Sequence, residues 1–191
     1  MKKLMAFLLL LTAFTAFSQT MPVKSPVPDE KTKTVSGREL IQKPATVNPC
    51  AGGNVSIPST ISGSNYQWQV NSGGSFTNIS NGGIYSGATT PTLQITGAPS
   101  SLYGYQYRCL VDGNFSAVYV LKFVSTWTGA VDNTWENGSN WNCGSVPDAN
   151  TDVIINSGTP VLNANASVRS LTLGTGITLT VKPGLSLTVA Y

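Results

Sequence analysis

The chain has 191 residues, of which 41% are hydrophobic and only 10% charged. That is room for one or two domains with a core, but far short of the charged quarter of an average domain. It contains no histidine, which excludes Ser-His-Asp and Cys-His catalysis, histidine-ligated metals and imidazole pH switching. The net charge of +3 belongs to the N-terminal part: Lys2 and Lys3 give two positive charges, residues 19–49 a net two, and everything from Cys50 onward a net −1. No basic stripe exists to follow phosphates, so nucleic acid is not an expected partner.

The start reads as a secretory signal peptide over residues 1–18. Lys2 and Lys3 precede an apolar run over residues 4–17, and Ala16 and Ser18 place small residues before a cleavage ahead of Gln19. The run is short for a membrane span, which needs about 20 residues. No cysteine follows the cleavage point to carry a lipid. The mature protein is thus expected to be secreted or held at the cell surface, with no membrane span after signal cleavage, in an oxidising compartment where disulfides persist. Residues 19–46 carry most of the lysines and Pro22, Pro26, Pro28 and Pro44 with weak apolar periodicity. They read as a flexible linker.

From residue 47 the signals are all β. Short alternating or β-branched runs, such as Val55-Ser56-Ile57, Tyr66-Gln67-Trp68-Gln69-Val70 and Thr92-Leu93-Gln94-Ile95, are separated by Gly, Asn, Ser and Pro. Residues 47–124 predict an antiparallel sandwich of the immunoglobulin type. Cys50, Trp68 and Cys109 fall in the order Cys…Trp…Cys, and Tyr107 sits two residues before Cys109, where its hydroxyl would bond a corner of the backbone. Three cysteines allow three single pairings; the sandwich favours Cys50 with Cys109 and leaves Cys143 over. Cys50 precedes its strand instead of lying inside it, which would place the bridge toward one end of the sandwich.

Residues 125–191 differ in composition. Trp127, Trp135 and Trp141 cluster, and then Ser170-Leu171-Thr172-Leu173, Thr178-Leu179-Thr180-Val181 and Ser186-Leu187-Thr188-Val189 recur every eight residues. Such a unit cannot bury its apolar face alone and must stack. Three of them would form about one coil of a short β-solenoid, or else a β-meander of hairpins. With three units and no cap after Val189, residues 126–191 are expected to be an incomplete module that does not fold by itself.

The motifs Cys50-Ala51-Gly52-Gly53, Tyr66-Gln67-Trp68-Gln69-Val70, Phe76-Thr77-Asn78-Ile79, Tyr85-Ser86-Gly87-Ala88-Thr89-Thr90 and Gly104-Tyr105-Gln106-Tyr107-Arg108-Cys109 resemble an immunoglobulin-like module family. It recurs in secreted and surface proteins of Gram-negative bacteria that use type IX secretion. Trp127-Thr128-Gly129, Trp135, Asn140-Trp141, Gly144-Ser145-Val146-Pro147 and Asp152-Val153-Ile154-Ile155 resemble the opening of modules that precede Leu-Thr repeats in proteins of the same kind. Those proteins end in a sorting domain, and nothing toward Tyr191 resembles one. The resemblance implies a bacterial source, in which the sequons at Asn54, Asn78, Asn114, Asn137 and Asn165 carry no meaning.

Candidate sites are few. Trp127, Trp135 and Trp141 are either a ligand-stacking face for sugars or the cap of the second module's core. Asp148 to Asp152 has oxygen side chains at alternate positions but lacks the glycine and the bidentate glutamate of a calcium loop. No carboxylate pair, phosphate loop or nucleophile elbow is present, so no cofactor and no enzymatic activity are expected. The functional expectation is an exported, non-enzymatic modular surface protein with a spacer or adhesion role, meeting an extracellular protein or a polysaccharide. The alternative is a carbohydrate-binding accessory region of a larger secreted enzyme.

Overall fold

Alternation of apolar and polar residues builds the first half of the fold, in a computed structural model that describes residues 43–190. The signal peptide expected at 1–18, and the linker up to residue 42, lie outside the described residues. The described chain is all-β. Its first nine strands are β1 (Ala45–Val47), β2 (Gly53–Pro58), β3 (Tyr66–Asn71), β4 (Thr77–Asn78), β5 (Tyr85–Ser86), β6 (Thr92–Ala98), β7 (Gln106–Val111), β8 (Asn114–Phe115) and β9 (Tyr119–Leu121). β1 begins two residues before the expected edge of the sandwich, so the linker ends sooner than its composition implied.

The strands form two sheets, β2-β6-β5 and β1-β9-β7-β3-β4, with β8 also paired to β7. All pairings are antiparallel except β1, which joins β9 in parallel. This is the immunoglobulin-like arrangement predicted from the cysteine and tryptophan order. Along β7, Tyr107, Cys109 and Val111 point inward and are buried, while Gln106, Arg108 and Leu110 between them are half-exposed. Val55 and Ile57 of β2 meet Ile95 and Leu93 of β6 in register. Trp68 is fully buried and its indole N–H donates to the Thr90 carbonyl at 3.0 Å. The β7–β8 hairpin turns on Asp112 and Gly113, whose φ values of 46° and 87° suit the tight two-residue turn.

Two expectations for this core are corrected. The Tyr107 hydroxyl lies 3.1 Å from the Tyr85 hydroxyl on the opposite sheet, not on corner backbone, because the ring points across the core toward β5. The disulfide joins Cys50 to Cys143, not to Cys109. The inward positions of β2 are taken by Val55 and Ile57, and Cys50 lies in the turn before that strand, outside the core. Cys109 sits directly opposite Trp68 in the β3–β7 ladder as a buried free thiol. Burial pushes the pKa of that thiol up, which disfavours the reactive thiolate.

The second half consists of β10 (Phe123–Thr126), β11 (Thr151–Ile155), β12 (Val161–Leu162), β13 (Ala166–Val168), β14 (Ser170–Leu173), β15 (Thr180–Val181) and β16 (Leu187–Val189). They stack as three ladders, β10-β11-β14, β12-β15 and β13-β16, and every pairing is parallel. Parallel stacking makes this a β-solenoid; a meander of hairpins would pair antiparallel. Asp152 pairs with Ser170, Val161 with Thr180 and Ala166 with Leu187, so one coil takes 18 to 21 residues. The three eight-residue repeats are the three sides of the last coil, one strand each in β14, β15 and β16. The core between coils holds Val153, Ile155, Leu162 and Val168, with Leu171, Leu179, Leu187 and Val189 packed against them.

Candidate functional site

The meeting of the two modules brings together most of the polar residues singled out by sequence. It begins in the backbone. β10 places Phe123 at 0% exposure in the core of the sandwich, yet it pairs over its whole length with Thr151 to Ile154 of the solenoid. The boundary expected between residues 124 and 125 therefore runs through a single strand.

Around that strand the side chains interlock. A short 3-10 turn at Ser100–Leu102 leads to Tyr103 on the sandwich. The Ser100 hydroxyl donates to Asp148 Oδ2 at 2.6 Å, and the Tyr103 hydroxyl donates to Asp152 Oδ2 at 2.6 Å. Arg169 pairs with Asp152 Oδ1 at 3.1 Å and lays its guanidinium 3.9 Å from the centre of the Tyr103 ring. Asp148 Oδ1 also accepts from the Asn150 amide and the Thr151 hydroxyl, and Asp152 Oδ1 from the Ser170 hydroxyl. The residues considered as a calcium loop thus spend their oxygens on the neighbouring module and on their own turn.

Electrostatics follow from these contacts. Partial burial works to raise the pKa of Asp148, but hydrogen bonds from Ser100, Thr151 and Asn150 outweigh it and hold the carboxyl below the ordinary range. Asp152 behaves alike: burial opposes, and hydrogen bonds from Ser170, Tyr103 and Arg169 with the Arg169 charge prevail. Burial and the adjoining Asp152 carboxylate push Tyr103 up to about 12. Tyr103 therefore stays a neutral donor at any physiological pH.

The Cys50–Cys143 bridge fastens the other side of the junction, with its Cα atoms 5.4 Å apart and its ends 93 positions apart in sequence. Closing a loop of that length is worth about 4–5 kcal/mol in the chain-entropy treatment. The disulfide fits an oxidising compartment. Ala51, Phe123, Cys143, Asp148 and Thr151 line a cleft of about 20 Å³ beside it. That is the size of one water, far below the several hundred cubic ångströms of a small-molecule site.

The three tryptophans do not offer a stacking face. Trp127, Trp135 and Trp141 are 3%, 0% and 2% exposed. Trp141 packs edge-on against both others, with ring centres 5.1 Å and 4.7 Å apart. Its indole N–H donates to the Trp135 carbonyl at 2.8 Å. The ligand-stacking reading is corrected for a physical reason: residues 127–150 form an irregular first coil with few other large apolar side chains, so the indoles are needed to close the end of the solenoid core. A buried amide fixes this coil. Asn140 Oδ1 accepts from the Val131 and Asp132 amides, and its Nδ2 donates to Asp132 Oδ1 and the Thr134 carbonyl.

Sequence reasoning missed Ser100, Tyr103 and Arg169. Tyr103 and Asp152 are 49 residues apart in sequence, and no local pattern marks a contact between modules. Among the described residues no group of acidic or cysteine side chains is arranged to hold a metal ion, and no helix is long and apolar enough to cross a membrane.

The fold and the junction define a two-module all-β protein, an immunoglobulin-like sandwich locked to a parallel β-solenoid. Residues 126–191 match the family profile of a domain of unknown function, DUF8693. The match opens at the last residue of β10 and takes in the tryptophan coil and the repeats. No curated protein matches the chain.

Proposed function

We propose that the protein is an exported, non-enzymatic surface module in which sandwich and solenoid act together as a rigid spacer that carries an adhesive face. The observation that carries this reading is the use made of the carboxylates. Between Cys50 and the C-terminus there are five, Asp112, Asp132, Glu136, Asp148 and Asp152. Each accepts hydrogen bonds from the protein, and each is held below its ordinary pKa. A general acid needs the opposite shift, and a general base needs a free lone pair facing a substrate. Here the carboxylates act as ionised anchors: Asp112 for the Ser64 and Asn65 amides, Asp132 for Asn140, Glu136 for Asn163 and Ala164, the last two for the junction.

Export rests on the leader and on the resemblance to modules of type IX secreted proteins, and the disulfide accords with it. The rival accessory-module reading loses its main support with the burial of the tryptophans. The test is fractionation of cells producing the chain with its own leader. Recovery from envelope or medium with Gln19 as the first residue by mass spectrometry is expected. Retention in the cytoplasm with an intact leader would overturn the reading.

A further inference from the structure

The outward face of the larger sheet carries a cation held without a counter-charge. Arg108 projects from the exposed side of β7, with its guanidinium carbon 4.0 Å from the centre of the Phe76 ring and 3.6 Å from that of Phe115. Phe76 approaches from the β3–β4 side and Phe115 from β8, so the rings close on the guanidinium from the sides of β3 and β8, two strands paired with β7. Its Nε donates to Gln69 Oε1 at 2.9 Å. Among the described residues neither terminal nitrogen finds a partner, and the ion pair formed is the one between Arg169 and Asp152. From Cys50 to Val124 the other charged residues are Lys122 and Asp112, and Asp112 is engaged with Ser64 and Asn65.

This arrangement is not what solvation alone would select. A free surface arginine extends into water and loses nothing. Here two aromatic rings hold the planar group, and burial lowers its pKa, the mark of a cation partly stripped of water. What remains is a fixed fork of N–H donors, which matches a carboxylate in two parallel hydrogen bonds. Charge complementarity therefore calls for an anion bearing a carboxylate.

The surroundings narrow its carrier. Cross-strand register sets Gln69 between Asn78 and Arg108, Gln67 opposite Leu110, and Asn71 opposite Gln106. Neighbouring strands lie about 4.8 Å apart, so the face presents amides at a spacing close to that of successive pyranose rings. Gln67 spends its amide N–H groups on the Trp68 and Ile79 carbonyls, Gln69 spends one on Asn78, and the Asn71 oxygen accepts from the Gly73 and Gly74 amides, so the Gln67 oxygen and the Asn71 and Asn78 nitrogens remain to meet hydroxyls. Phe115, 52% exposed, adds one ring on which a sugar can rest. An acidic polypeptide would instead seek deep apolar anchor pockets, whereas this face is a polar strip running across β4, β3 and β7.

We propose that this face of the sandwich binds a uronate-bearing polysaccharide, with Arg108 taking the carboxylate and the neighbouring amides the hydroxyls. The inference deepens the adhesive-surface reading and rests on it for access to such a polymer.

Affinity electrophoresis of the mature chain tests it, with polygalacturonate, its methyl-esterified form, neutral dextran or polyglutamate cast in the gel. Retardation by polygalacturonate alone is expected, weakening as salt is added. Arg108→Gln should weaken it at least tenfold, Arg108→Lys several-fold because the charge survives without the fork, and Phe115→Ala several-fold, with melting temperatures near that of the parent. Three results would overturn the proposal: no retardation of the parent chain, equal retardation of Arg108→Gln, or retardation by polyglutamate as strong as by polygalacturonate. A chain that is correctly exported yet fails here would sink the ligand assignment and leave the surface reading standing.

Discussion

Tyr103 on the sandwich and Asp152 on the solenoid share a 2.6 Å hydrogen bond, and Arg169 closes the group by pairing with the carboxylate and stacking on the phenol ring. One phenol thus meets an anion through its hydroxyl and a cation through its ring. The contact lies on the far side of 49 residues of chain, so it can only report how the modules dock.

Because the three groups act as a unit, their effects should not add. Tyr103→Phe and Asp152→Asn are each expected to lower stability by about 1 kcal/mol, as for a partly exposed hydrogen bond to a charged group. The double variant should lose clearly less than the sum of the two. Urea unfolding of the four proteins measures the coupling; strict additivity would mean that the pair is incidental.

The same group sets a pH window. Asp148 and Asp152 have folded-state pKa values below the ordinary carboxylate value. Their contribution is complete above about pH 4 and is lost as pH falls through the lowered values. Tyr103 has a raised pKa of about 12, so its contribution is complete below about pH 10 and is lost as pH rises toward 12. Melting temperature should be flat across neutral pH and fall at both ends. Asp152→Asn should flatten the acid limb, and Tyr103→Phe the alkaline one.

The tryptophan coil makes a steric prediction. Gly158 has φ of +81°, and a Cβ there would lie 2.9 Å from Trp127 Nε1. Gly176 has φ of +76° with nothing within 4 Å of such an atom. Both alanine variants bear the left-handed backbone cost of about 1–2 kcal/mol, but Gly158→Ala must also displace a buried indole, for about 1–3 kcal/mol more. Thermal unfolding of the two variants separates the terms; equal losses would contradict the packing around Trp127.

Much of this was legible in the chain. Trp68, Tyr107, Leu93 and Ile95 marked their strands because inward positions of a sandwich must alternate with polar ones. The Leu-Thr repeats marked three sides of a coil because each side is one short strand and a turn. What could not be read was whatever depends on direction in space. Cys50 looked like the partner of Cys109 because the order of residues suited it, but the order does not say that Cys50 faces away from the core and toward the module that carries Cys143. The tryptophans suited both a binding face and a cap, and only the scarcity of other large residues between positions 127 and 150 decides for the cap. Arg108 gave no signal, since Phe76 and Phe115 reach it through pairing of separate strands.

Sharing of β10 bears on independence. A cut between residues 125 and 126 breaks that strand, removes the Cys50 partner from Cys143 and takes Ser100 and Tyr103 from Asp148 and Asp152. The piece 126–191 is expected not to unfold cooperatively, while residues 43–124, which keep Phe123 and the whole sandwich core, fold alone. Calorimetry on each piece checks both halves of the statement; a sharp transition in a monomeric 126–191 would refute it.

Non-reducing peptide mapping of the exported chain, alkylated before and after unfolding, shows whether the modules are fastened into one unit across their junction. A peptide pair linked through Cys50 and Cys143 is expected, with Cys109 modified only once the protein is unfolded. A Cys50–Cys109 link with Cys143 open to alkylation in the native state would contradict that fastening.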